Sequence, residues 1–103
     1  MWPIQIQDAA YNAFKVGRKA VSSAGTPVQL ASDYPCRYVI IQALIANTGN
    51  IYWGDDSDNA KVATGMQLLA GASVVIPIDN LSKIWLDSDV NSEGVCFFVP
   101  KNQ

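Results

Sequence analysis

The sequence predicts an all-β chain folded as a single-domain antiparallel β-sandwich, jelly-roll-like, with an N-terminal arm, and three observations predict it. The 3.6-residue apolar period of helices is almost absent. Short β-branched and aromatic runs recur about every ten residues, each bounded by Gly, Pro, Asn, Asp or Ser. The 103-residue length leaves room for one core. About eight strands are expected, near residues 14–21, 26–30, 37–46, 50–53, 65–69, 73–78, 83–87 and 94–99. That number of short strands suits a sandwich or jelly roll better than other folds.

Residues 1–13, MWPIQIQDAAYNA, precede the regular strands. Pro3 interrupts them and their apolar residues keep no sustained period, yet Trp2, Ile4, Ile6 and Tyr11 are too hydrophobic for a solvated tail. The segment is expected to pack either on a neighbouring subunit or on its own domain. Residues 1–20 are therefore read as an arm with a lead-in strand and residues 21–103 as the sandwich.

In the third strand Tyr38, Ile40, Gln42 and Leu44 share one face, and Val39, Ile41, Ala43 and Ile45 the other. Both faces are largely apolar, so the strand should sit centrally, with one face on the core and the other packed against something else. The stretch 47–50, Asn-Thr-Gly-Asn, is a tight connection in which Gly49 can take positive φ. Residues 69–73, centred on Gly71, form a second turn that feeds the sixth strand, where Val74, Ile76 and Ile78 share a face. Pro77, on the other face, removes a ladder donor and marks a sheet edge or bulge. In the seventh strand Ile84 and Leu86 face one way, and Trp85 faces the other with Lys83 and Asp87.

Half the residues are apolar, 16% are charged and the net charge is −2. No basic field exists to gather phosphates, so nucleic acid is not expected as a partner. So low a charge fraction suggests that other subunits cover part of the surface. Met1 to Asp8 carry no basic leader, and Gln42 interrupts the longest apolar stretch, so neither a signal peptide nor a membrane span is expected. Cys36 and Cys96 are the only cysteines and histidine is absent, which leaves no zinc set and no His-dependent nucleophile. The two cysteines read as small buried hydrophobes rather than as a disulfide.

Two acidic turns, WGDDSDN at 53–59 and WLDSDVN at 85–91, raise the possibility of calcium. The first fails at its third alternate ligand, Ala60; the second lacks the following Gly; and Glu93, the only glutamate, is too near to close either loop. Asp, Ser and Asn are also standard turn residues that hydrogen-bond their own backbone, and that reading is preferred. A glycosidase pair of Glu93 with Asp55, Asp56 or Asp58 needs a concave cleft for which so small a sandwich has little material. No enzyme activity, cofactor or metal is therefore expected. Tyr52, Trp53 and Trp85 fit half-buried strand positions, with a sugar platform as the alternative, and Trp85 is a plausible contact anchor.

The blocks GTPVQLASDYPCRYVIIQALIANTGNIYWGD and GMQLLAGASVVIPIDNLSKIWLDSDVNSEGVCFFV together resemble small bacteriophage virion proteins over residues 25–99. The resemblance implies a non-enzymatic structural role, foremost as a capsid decoration or cement protein on the head. A tail, baseplate or fibre component has the same look. It also implies location in the virion, with host cytoplasm during assembly, and other virion proteins, the major capsid protein first, as partners. Homo-oligomerisation is expected, with a trimer by analogy to jelly rolls on capsids. No membrane partner is expected. The expected contact residues are Trp2, Ile4, Tyr11, Tyr52 and Trp85. The reading from a different class is a carbohydrate-binding host-recognition module using Trp53, Trp85 and the acidic turns.

Overall fold

A computed structural model describes residues 12–101. They form eight strands, β1 (Ala13–Val21), β2 (Val28–Gln29), β3 (Tyr38–Ala43), β4 (Ile51–Gly54), β5 (Met66–Leu68), β6 (Ser73–Pro77), β7 (Trp85–Ser88) and β8 (Glu93–Lys101), with a 3-10 turn at Leu81–Lys83. Two four-stranded sheets result, ordered β1–β8–β3–β6 and β2–β7–β4–β5. The antiparallel partners nest: β4 with β5, β3 with β6, β2 with β7, and β1 with β8. Such nesting is what one long antiparallel ribbon gives when it rolls up, so the chain is an all-β antiparallel sandwich in jelly-roll order. β1 is a full member of its sheet, and the sandwich therefore takes in Ala13–Ala20 as well.

Strand alternation puts the core between the sheets. Val39, Ile41 and Ala43 of β3 and Val95 and Val99 of β8 are fully buried from one side, and Ile51 and Leu86 from the other. Gly17 makes room in β1 for the inward Phe97, since a Cβ there would lie 2.5 Å from the tip of that ring and push it aside. As expected, β3 is central, and β6 is an edge strand on which the missing N–H of Pro77 is tolerated.

Several strands are shorter than the sequence suggested. The third stops at Ala43, not residue 46, because the chain turns back with Asn47 N donating to Leu44 O at 3.0 Å, leaving Ile45 85% exposed. The seventh begins at Trp85, because Asn80 caps the 3-10 turn by accepting from Ser82 N. β2 keeps only Val28–Gln29, although Leu30 N still bonds Ile84 O at 2.8 Å.

Candidate functional site: an apolar outer sheet face

The site is built by the side chains of the first sheet that point away from the core. Residues paired directly across a ladder share a face, so the register gives a row Val16, Phe98, Ile40, Val75 and a second row Arg18, Cys96, Gln42, Ser73. Phe14 pairs with Pro100, and Tyr38 with Pro77, on the same outer face. Phe14 is 63% exposed, Val16 61% and Val75 57%. The Phe14 and Phe98 rings stack with centroids 5.3 Å apart and planes 28° from parallel. Beside them a shallow groove is lined by Ala13, Phe14, Tyr38, Phe98 and Pro100.

Charge is almost absent from this face, where Arg18 is the single ionic side chain among the strand residues. Lys15 and Lys19 alternate to the other side of β1, and Lys15 Nζ lies 5.7 Å from the centroid of the Tyr34 ring. Cys96 is half-buried on the outer face beside Gln42, and Cys36 lies elsewhere with its thiol donating to Ile78 O at 3.2 Å; both are free. Burial first, and then the Asp79 carboxylate, push the Cys36 thiol above its ordinary value, which keeps it a protonated, weak nucleophile.

The outer face of the second sheet differs because the chain covers it. Residues 55–65 fold back on β4 so closely that a Cβ on Gly54 would meet Asn59 O, and one on Gly65 would lie 3.0 Å from the Tyr52 Cβ. Tyr52 is thereby only 7% exposed, and its hydroxyl donates to Asp89 at 3.2 Å. Asp87, fully buried on the same face, accepts from Gly25 N and Ser88 N, each at 2.8 Å, while its Oδ2 has no partner among the described residues.

The acidic turns are occupied by the backbone bonds expected of them. Asp56 Oδ1 accepts from Asp58 N at 2.9 Å and Asn59 N at 2.7 Å, and Asp55 accepts from the Asn59 amide. Asp89 accepts from Asn50 N, and Asn91 from Ala24 N. The register Gly54↔Trp85 and Ile51↔Ser88 sends the two turns off opposite ends of the sheet. Among the described residues no group of three or more His, Cys, Asp or Glu is placed to hold a metal. Glu93 staples the 47–50 turn, accepting from Thr48 N at 2.7 Å, Thr48 Oγ1 at 2.8 Å and Gly49 N at 3.0 Å. The backbone donors Thr48 N and then Gly49 N hold its carboxyl below the usual glutamate value.

Of the contact residues expected from sequence, Trp2, Ile4 and Tyr11 lie outside the described residues. Tyr52 is buried within its own chain, so it does not serve as a surface anchor, and Trp85 is half-buried on the covered side of the second sheet. Trp53 packs on the core from the opposite face of that sheet, so Trp53 and Trp85 form no common platform. The exposed group, Phe14, Val16 and Val75, was missed by residue-by-residue reading. Its signal was the two-faced apolar pattern of β3, which required cover on both sides. No protein-family profile, curated protein or solved structure matches this chain.

Proposed function

We propose that the chain is a non-enzymatic structural protein of a bacteriophage virion, a capsid decoration protein that uses the outer face of the β1–β8–β3–β6 sheet for assembly. The observation that carries this reading is that Phe14, Val16 and Val75 each keep more than half of their surface in water on one nearly uncharged sheet face, with Phe98 and Ile40 completing the row between Val16 and Val75. Contiguous apolar surface of this kind marks interaction sites on soluble proteins. At about 25 cal/mol per Å² of apolar area, even a modest contact repeated around a particle gives high avidity. The resemblance over residues 25–99 supports the virion setting. The blocks that carry it are strands and turns, and the carboxylates of its acidic stretches accept backbone hydrogen bonds.

The test is antibody labelling of intact particles, imaged by electron microscopy. Label distributed over heads is the expected result. Label confined to tails replaces decoration with a tail role, and unlabelled particles overturn the virion reading.

A further inference from the structure

We infer that the outer face of the β1–β8–β3–β6 sheet is the contact between two copies of this chain, packed face to face about a two-fold axis parallel to the strands and passing between β8 and β3. The inference deepens the assembly reading above and rests on it for the use of this face.

An axis in that position reverses each cross-strand row onto itself. Val16 of one copy then lies over Val75 of the other, Phe98 over Ile40, and Arg18 over Ser73. The apolar row meets an apolar row and the polar row a polar one. The single cation of the face meets a hydroxyl instead of a second arginine, so the copy raises no like-charge repulsion. A two-fold axis perpendicular to the strands would lay the Phe14 end of each face over the Arg18 end of its partner, matching apolar to polar. The face therefore complements itself in one orientation only. A strongly charged partner would find no complementary field on it.

The size of the face also fits a second copy. Twenty-nine residues of the four strands, at a rise of about 3.3 Å and a spacing of about 4.8 Å, make a face on the order of 450 Å². Two faces together cover about 900 Å², below the roughly 1,200 Å² of stable interfaces and in the range of weak, transient ones. Pairing of this area is reversible and concentration-dependent. An extended sheet face also packs well on another, since aligned sheets interdigitate about 10 Å apart.

Sedimentation equilibrium on the full chain tests the inference and its register. The wild-type mass should rise from one copy to two with concentration. Val16→Lys and Val75→Glu should each weaken pairing at least about tenfold, since each places an unpaired charge in the apolar row of the contact, whereas Arg18 lies in the polar row. Both positions are more than half exposed, so both variants should keep the wild-type unfolding midpoint. An equimolar mixture of the two should recover pairing, because Lys from one copy meets Glu from the other. The two positions lie three strand spacings apart within one copy, about 14 Å, too far for the charges to pair internally. A wild-type chain that stays monomeric, single variants that pair like wild type, or a mixture that fails to recover would each overturn the inference. A monomeric chain that still labels phage heads removes the two-fold pair and leaves the decoration role. A pairing chain that labels no particle does the reverse.

Discussion

Gly94→Ala should be among the most damaging single-methyl additions in this fold. A Cβ on Gly94 would stand 2.0 Å from Lys19 O and 2.7 Å from the Ala20 Cα. Those are backbone atoms, so no side-chain rotation relieves the clash and β1 must retreat from β8. The pairs Lys19↔Val95, Ala20↔Gly94 and Val21↔Glu93 then open. Losing roughly three ladder bonds costs about 3 kcal/mol net. Re-exposing Val21, which is fully buried, adds about 1.5 kcal/mol or more. The lower unfolded-state entropy of alanine returns about 0.5–1 kcal/mol. The net loss is about 3–4 kcal/mol, a large share of the roughly 5–15 kcal/mol typical of a whole domain. Urea unfolding followed by tryptophan fluorescence reads this directly. With a slope of about 1.5 kcal/mol/M, the midpoint should fall by about 2 M. Gly25→Ala is the internal comparison. Gly25 sits at φ +90 with nothing within 4 Å of its added Cβ, so only backbone strain of about 1–2 kcal/mol applies. A Gly94→Ala midpoint within about 0.3 M of wild type, or a loss smaller than that of Gly25→Ala, would refute the close-approach reasoning.

Asp87→Ala should lower the urea midpoint by an amount equivalent to about 2 kcal/mol, since the Gly25 and Ser88 amides lose their buried acceptor; Asp87→Asn, which keeps one oxygen, should fall between it and wild type. The Glu93 carboxyl is held below its ordinary value of 4.5, so the stability it contributes is complete above that value and lost as pH falls through the lower folded one. Midpoints measured from about pH 6 down to pH 3 should show that loss, and Glu93→Gln should flatten this part of the profile. Cys36 should alkylate with iodoacetamide more slowly in the folded chain than in urea, because burial and Asp79 raise its thiol from 9.0; equal rates, or no acceleration by Asp79→Asn, would contradict that placement.

Much of the fold was legible because jelly-roll strands advertise themselves locally. The Tyr38–Ala43 stretch shows both of its faces in six residues, and Pro77 marks its own edge. Strand ends were less legible, because they depend on distant carbonyls. β3 gives way to a local turn, with Asn47 N bonded to Leu44 O, while Leu44 N still follows the ladder to Gly94 O, a long-range bond that no window around residue 44 reveals. The site was hidden for a related reason. Tyr52 and Trp85 look like contact residues on their own strands, but residues 55–65 and the turn at Gly25 lie over their side of the second sheet, a packing decided by chain paths far apart in sequence. Phe14 and Val16 look like an ordinary lead-in strand until β1 is seen beside β8, where Val16 joins Phe98, Ile40 and Val75 in one row.

The contrast between the two outer faces bears on function more directly than either face alone. On the second sheet, glycines at 54 and 65 let the intervening loop approach within van der Waals limits, and Ala60 is driven to full burial. This chain therefore has the means to roof a sheet with its own loop. On the first sheet, Phe14 and Val16 stay exposed although the loops carry comparable apolar residues, such as Val62 and Leu69, that are themselves left in water. An isolated domain would gain about 25 cal/mol for each Å² of that face it covered, or would carry polar residues at every second position of β1. Among the described residues neither arrangement is present at Phe14 and Val16, while Arg18, one step further along the same face, returns to the polar pattern. The apolar character thus has a boundary within a single strand, as a contact patch does and a core does not. What is placed opposite that boundary decides between a two-fold copy and a larger shell, and the Val16–Val75 charge exchange distinguishes them because only a second copy supplies both columns at once.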